Sequence, residues 1–91
     1  MKEGWPQFLK LCVQLKSVEE FDEFFKFFLT HGEREDIADR YLITRELLKN
    51  QRTQREVAAH LNVSISKITR GSNMLKVVAN ALKKFLKVKM Q

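Results

Sequence analysis

The chain has 91 residues, of which 44 % are hydrophobic, and seven of them are Phe. Residues 1–91 are expected to form one domain with a small core, so this apolar content predicts a dimer that buries the excess between subunits. The one cysteine, Cys12, excludes an intrachain disulfide, and its apolar neighbours indicate a buried thiol in a reducing cytoplasm. No apolar run is long enough to cross a membrane and no signal-peptide pattern precedes the expected fold, so neither a membrane protein nor a secreted protein is expected.

Charge is divided unevenly along the chain, whose formal net charge is +6. Residues 1–39 hold five Lys or Arg against nine Asp or Glu, whereas residues 40–91 hold twelve against two. This basic C-terminal half predicts a nucleic-acid-binding face, because neutralising phosphates releases counterions. On charge alone, the alternative is a solvated basic surface.

The N-terminal third predicts two apolar helices. The first runs from Trp5 to Leu15, and the second from Val18 to Leu29 after a capping box at Ser17 and Glu20. Phe residues cover the second helix on more than one face, which is typical of a helix buried on several sides. The second side is predicted to pack against another subunit; a monomer with an unusually aromatic core is the alternative. The Phe residues of this second helix are Phe21, Phe24, Phe25, Phe27 and Phe28.

A third capping box, at Thr30 and Glu33, predicts a long helix that ends near Asn50. Arg40 is one turn before apolar Ile43, so it is expected at the edge of the apolar face. The first two turns are rich in carboxylates, which complement the helix dipole more readily than they provide acid–base catalysis. These residues are Glu33, Glu35, Asp36 and Asp39.

Residues 53–73 predict a helix-turn-helix. Thr53 and Glu56 form a capping box that starts the first helix. Asn62 is the expected corner, because Asn tolerates the left-handed conformation, and Ser64 is a good N-cap for the second helix. Apolar residues surround the small Ala58, as needed to hold two helices at a fixed angle. The second helix would enter the major groove of DNA.

The second helix of this motif is expected to continue through Lys76, followed by a basic helix from Asn80 to about Met90. The expected fold class is therefore all-α. Gly71 is unusual within a helix, where Gly costs about 1 kcal/mol relative to Ala. Either the helix ends there with Gly71 as its C-cap, which spacing favours, or the missing side chain leaves room for a flat ligand beside Arg70.

No catalytic or metal-binding set stands out. His31 and His60 lie on different predicted helices without the i, i+4 partner or nearby Cys that a zinc site needs, so no metal is expected. No nucleophile–base pair or Gly-rich phosphate loop is present, so an enzyme is not expected. Polar residues at the start of the two motif helices are candidates for contacts to phosphates or base edges. They are Gln54, Arg55, Ser66, Lys67 and Thr69.

Several strings of residues closely resemble the tryptophan repressor family, whose docking on DNA is a standard example of helix-turn-helix recognition. The most specific is Ile68-Thr-Arg-Gly-Ser-Asn73, and the similarity runs without gaps from about Leu29 to Lys76 and more loosely over the whole chain. The other matching residues are Leu29-Thr30, Glu33-Arg34-Glu35, Arg40, Glu46-Leu47-Leu48, Gln54-Arg55-Glu56 and Leu75-Lys76.

The resemblance implies an intertwined homodimer of six helices per subunit, which binds L-tryptophan as corepressor and a palindromic operator. Arg40 and Arg70 would sandwich the indole ring, and Arg70 would also hold the ligand carboxylate. The backbone carbonyls of Phe27 and Leu29, from the other subunit, would receive the ammonium group. Thr30 and Gly71 would line the slot, which changes the interpretation of Gly71 from cap to pocket floor. On the DNA side, Arg55 would contact guanine directly, and the remaining contacts would come from Gln54, Ile65, Ser66, Lys67, Thr69 and Lys76.

The chain departs from the family pattern at positions that affect these expectations. Met74 stands where the family usually has a Ser that helps to bind the ammonium group, so ligand affinity or choice is expected to shift. Ser66 and Lys67 replace smaller or neutral residues, which is expected to alter the operator sequence. Asn62-Val63-Ser64 replaces a Gly-containing corner, and Ala79 replaces a Pro often found before the last helix.

The sequence thus predicts an L-tryptophan-dependent repressor. One alternative is a helix-turn-helix regulator that is independent of tryptophan or responds to another aromatic ligand. Another is a protein-interaction module that uses the basic amphipathic tail from Leu82 to Met90 on a membrane or a partner helix.

Overall fold

The computed structural model describes residues 3–90 and contains six α-helices and no strand within that range. The all-α prediction is confirmed. The first helix is shorter than predicted, since it ends at Cys12 rather than Leu15. The helices are α1 (Gly4–Cys12), α2 (Val18–Phe28), α3 (His31–Lys49), α4 (Gln54–Leu61), α5 (Ile65–Val77) and α6 (Asn80–Lys89).

The chain divides into two compact units between Arg34 and Glu35, within α3. The first unit contains an aromatic cluster centred on Phe8. Its ring centroid lies 5.4 Å from that of Phe24 and 5.2 Å from that of Phe28, the latter in an edge-to-face arrangement. Neither α1 nor α2 has a fully buried residue, and Phe27 is 81 % exposed. The aromatic helices therefore leave much of their apolar surface open within one chain.

The second unit has a small core in which α3, α4 and α5 each supply one buried residue. Ile43 comes from α3, Val57 from α4 and Ile68 from α5, and all three are almost completely buried. Ala58 and other partly buried side chains pack around them. This core joins α4 and α5 to α3.

Local hydrogen bonds set the bounds of α4 and the start of α5. The Thr53 hydroxyl accepts a hydrogen bond from the Glu56 N–H, and the Glu56 carboxylate accepts one from the Thr53 N–H. The backbone hydrogen bond from Thr53 lowers the pKa of Glu56. Asn62 ends α4 in the left-handed conformation (φ 56°, ψ 48°), and the Ser64 hydroxyl accepts from the Lys67 N–H. The predicted caps of α4 and α5 and the corner at Asn62 are confirmed.

Gly71 lies inside α5, which continues to Val77. The prediction that this helix continues through Lys76 is confirmed, and the alternative in which Gly71 is its C-cap is wrong. Gly71 faces α3, where a side chain would meet Ile43 and Leu47, so its missing side chain serves the packing of the two helices.

Candidate ligand cavity and nucleic-acid interface

A cavity of about 520 Å³ opens in the second unit among α3, α5 and α6. Its volume is in the range of small-molecule binding sites in proteins. Arg40 of α3 and Arg70 of α5 both line it, so the two guanidinium groups come from different helices. The remaining wall is largely apolar. The full lining is Asp36, Asp39, Arg40, Ile43, Thr44, Lys67, Arg70, Gly71, Met74, Leu75, Val77, Val78 and Leu86.

Four of the seven residues predicted to bind the ligand therefore lie in the wall of this cavity. They are Arg40, Arg70, Gly71 and Met74. Such a wall suits a ligand that is flat and apolar with a negative charge, because guanidinium groups stack on aromatic faces and hold carboxylates. Met74 is 60 % exposed and presents a thioether, which is at best a weak hydrogen-bond acceptor.

Gly71 allows α5 to approach α3 closely beside the cavity. A Cβ atom at this position would lie 3.0 Å from Cγ2 of Ile43 and 3.6 Å from Cδ1 of Leu47. The first distance is tighter than ordinary van der Waals contact. Gly71 therefore lets α5 pack on α3 without displacing Ile43, and it contributes to the shape of the cavity.

The other three predicted ligand residues, Phe27, Leu29 and Thr30, lie in the first unit. Phe27 is in the last turn of α2, where backbone carbonyls lack helical partners. Leu29 is the C-cap of that helix. The Thr30 hydroxyl accepts a hydrogen bond from the Glu33 N–H at 3.1 Å, so it caps α3. Their assignment to a ligand stays a prediction.

The seven residues predicted to contact DNA are all exposed. Two are in the first turn of α4, four are at the start of α5, and Lys76 is near its end. The Thr69 hydroxyl donates to the Ile65 carbonyl at 3.1 Å and lies 3.5 Å from Oε1 of Gln54, so polar groups of α4 and α5 meet. Apart from Lys76, the residues predicted to contact DNA are Gln54, Arg55, Ile65, Ser66, Lys67 and Thr69.

Lys67 lies both in the cavity wall and in this exposed set. Its Nζ atom is 3.1 Å from Oδ2 of Asp39 and 3.9 Å from Oδ1 of Asp36. Their position near the start of α3 predicts a complement to the helix dipole and does not predict a place in the cavity wall. The available signal was spacing, since Asp36, Arg40 and Ile43 recur at the interval that places residues on one helix face.

A smaller cavity, of about 370 Å³, lies where the loop before α4 meets α5 and α6. Three cations line it: Arg52, Lys76 and Lys83. Of the three, Lys76 alone is among the residues predicted to contact DNA, because nothing in the local sequence around Arg52 and Lys83 indicates that they lie near it. Together they extend the basic surface around the start of α4.

The buried carboxylate of Glu46 anchors the loop that leads into α4. It accepts hydrogen bonds from Nη1 of Arg52 at 2.8 Å and from Nζ of Lys49 at 3.5 Å. Burial raises the pKa of Glu46, but the charges and hydrogen bonds of Lys49 and Arg52 outweigh it and hold the pKa below its ordinary value. The carboxylate is therefore ionised at neutral pH and ties the loop to the end of α3.

Within residues 3–90, no group of three or more His, Cys, Asp or Glu side chains is arranged to hold a metal ion. Over the same residues, no helix combines the length and apolar character needed to cross a membrane.

Comparison with known proteins identifies relatives over nearly the whole chain. The family model described as Trp repressor protein matches residues 3–90. A Trp operon repressor homolog of Chlamydia caviae is 54 % identical over 84 residues, which cover 92 % of this chain and 83 % of the relative. A Trp operon repressor homolog of Chlamydia trachomatis serovar L2 is 47 % identical over 83 residues, 91 % of this chain and 88 % of the relative. A Trp operon repressor homolog of Xylella fastidiosa strain M23 is 38 % identical over 88 residues, 97 % of this chain and 94 % of the relative.

Proposed function

The chain belongs to the Trp repressor family, a family of transcriptional regulators rather than enzymes, and we propose that it is an L-tryptophan-dependent repressor that binds a palindromic operator as a homodimer. One observation carries the proposal. Arg40 and Arg70 line one cavity, and α5 forms part of its wall. The first turns of α5 also carry the exposed polar residues that are predicted to contact DNA.

The chemistry of the cavity supports an aromatic amino acid as ligand. The apolar wall would cover the indole ring, and the two guanidinium groups supply partners for its faces and its carboxylate. The carboxylates Asp36 and Asp39, on the same wall, give the site both signs of charge. Lys67 is the partner of both carboxylates, so the two guanidinium groups stay available to the carboxylate of the ligand.

The distribution of charge and exposure supports DNA as the partner of α4 and α5. Residues 40–91 carry twelve Lys or Arg against two Asp or Glu, and Arg55 is exposed in the first turn of α4. In the proposed complex the two helices form a helix-turn-helix, α5 enters the major groove, and Arg55 contacts guanine. Arg52, Lys76 and Lys83 add positive charge for the phosphate backbone.

The open aromatic surface of the first unit supports a homodimer. The chain has seven Phe residues, yet no side chain of α1 or α2 is fully buried. Phe27 and Phe28, at the end of α2, are exposed. A single chain that exposes so many aromatic side chains is expected to cover them with a second copy. A dimer would also present two copies of α5, which a two-fold operator requires.

In this mechanism tryptophan acts by binding the DNA-competent conformation better than the alternative. A ligand shifts a conformational equilibrium only through this difference in affinity. Filling the cavity between α3 and α5 would hold α5 in one orientation. The two copies of α5 in the dimer would then lie at the spacing of successive major grooves. Because coupling is reciprocal, operator DNA should tighten tryptophan binding by the same factor.

Two measurements on the purified protein test the proposal. Rounds of DNA selection with and without L-tryptophan should yield a palindromic site only when the ligand is present. Titration calorimetry should then show that L-tryptophan binds the free protein, and binds more tightly when the selected duplex is added. Absence of heat together with ligand-independent DNA selection would refute the corepressor role.

Met74 favours one alternative, a regulator of the same architecture that responds to another aromatic ligand or to none. Its exposed thioether occupies the cavity wall without a strong hydrogen-bonding group for the ammonium of an amino acid. Calorimetry with indole-3-propionate, which lacks the amino group, separates the two functions. An acid that binds as tightly as L-tryptophan would favour the alternative.

A further inference from the structure

Lys67 is held by carboxylates of a helix far away in sequence. It is the third residue of α5, and its ammonium lies 3.1 Å from Asp39 and 3.9 Å from Asp36, both on α3. The hydrogen bond to Asp39 spans 28 positions of the chain. The side chain at the exposed start of α5 is therefore directed toward α3.

The pair is exposed, with 48 % of the Lys67 side chain and 34 % of the Asp39 side chain accessible. Exposed ion pairs are weak, because water solvates both groups and the long Lys side chain loses conformational freedom. A DNA phosphate offers the same ammonium a similar partner. The pair can therefore open when DNA arrives, but opening it subtracts from the binding free energy.

We propose that Asp39, assisted by Asp36, sets the DNA affinity of this protein by acting through Lys67. In the free protein the carboxylate holds the ammonium, and it competes with DNA phosphate for the same group. The inference rests on the proposed function, since it requires that the start of α5 binds DNA. It adds that the acidic pair of α3 is an intramolecular competitor that limits binding.

The competitor acts on all DNA alike, because every duplex presents phosphates. The basic half of the chain would otherwise bind DNA of any sequence through its excess of Lys and Arg. Asp39 weakens this sequence-independent binding, and Lys67 stays available to the operator complex. Salt screens exposed pairs, so the effect should be largest at low ionic strength.

Asp39→Asn removes the charge and keeps the shape. Fluorescence anisotropy with a labelled random-sequence duplex at low salt should show binding tightened about two- to fivefold, the range expected for one exposed ion pair. The gain should shrink as salt rises. Lys67→Met should weaken DNA binding. The decisive comparison of this double-mutant cycle is Asp39→Asn in the Lys67→Met background, where it should have no effect on DNA affinity.

Asp22→Asn is the matched control, because Asp22 forms an exposed pair with Lys26 at 3.0 Å in the first unit. It removes the same charge from another Asp–Lys pair, so a smaller change than that of Asp39→Asn is expected. Equal gains from Asp39→Asn with and without Lys67 would show a general charge effect and overturn the inference. No gain, weaker binding, or an equal gain in the control would overturn it as well.

Failure of the proposed function would be recognised separately. The cycle uses random-sequence DNA, whereas the repressor function requires a selected palindrome and L-tryptophan. If the protein binds duplexes without selecting a site, the cycle still tests the competitor while the repressor function fails. If it binds no duplex even at low salt, both are refuted.

Discussion

Ile43 on α3 faces Gly71 on α5 beside the cavity, and its Cγ2 atom lies 3.0 Å from the position that a Cβ atom would take on residue 71. Ile43 is buried and β-branched, so its rotamer is stiff and it has little room to move. The shape of the ligand cavity therefore depends on a residue that lacks a side chain.

Gly71→Ala should destabilise the protein although it raises helix propensity. Overpacking costs about 1–3 kcal/mol, whereas Ala in place of Gly returns up to about 1 kcal/mol in a helix. We expect a net loss of about 1 kcal/mol in the free energy of unfolding, measured with urea. Gly32→Ala, in α3, is the control: its Cβ would meet only Oγ1 of Thr30, at 4.0 Å, so no loss is expected.

Arg70→Ala should weaken the binding of L-tryptophan while leaving the fold intact. A charge-assisted hydrogen bond contributes about 1.5–3 kcal/mol, which corresponds to roughly a 10- to 100-fold loss of affinity. Calorimetry measures the loss, and circular dichroism checks the helix content. An unchanged affinity would show that the ligand does not use this wall of the cavity.

Arg55→Ala should affect DNA and not the ligand. Loss of a bidentate contact to guanine costs about 1–3 kcal/mol of discrimination, so binding to the selected duplex should fall and its preference at one base pair should relax. L-tryptophan binding to the free protein should stay unchanged, which contrasts with Arg70→Ala. Unaltered DNA affinity would instead favour an interaction module built on the C-terminal tail.

Met74→Ser should increase the affinity for L-tryptophan more than for indole-3-propionate. The hydroxyl adds a hydrogen-bonding group near the expected ammonium, and one neutral hydrogen bond contributes about 0.5–1.5 kcal/mol, or roughly two- to tenfold. Equal gains for both ligands would assign the effect to cavity volume. The comparison is made by calorimetry under identical conditions.

Glu46→Gln should change the dependence of stability on pH. The pKa of Glu46 is lowered in the folded protein, so its contribution is present above the unfolded-state pKa and is lost as pH falls through the folded-state pKa. The variant should be less stable than the parent at pH 7, and the difference should shrink below about pH 4.3, the ordinary Glu value. Urea titrations at several pH values measure it. A difference independent of pH would show that the ion pairs with Lys49 and Arg52 contribute nothing.

Much of the helix content follows from groups within four residues of one another. Thr53 and Glu56 satisfy each other's backbone N–H groups, and Ser64 caps α5 in the same way. Asn62 adopts the left-handed corner for a local reason. The specific string around Arg70 and Gly71 also identified the family correctly, since it is carried by sequence alone.

The sequence by itself determined six helices, their main caps, the family and the residues to suspect, because each of these depends on neighbours along the chain or on an unbroken string. Only the tertiary structure decided that Gly71 faces Ile43 at close range and that Lys67 reaches the carboxylates of α3. It also contains a cavity that Arg40 and Arg70 both line, a pairing that the resemblance alone had implied. Those relationships join residues 28–31 positions apart. The packing of α3 against α5 creates them, and no local pattern specifies the distance at which two helices meet.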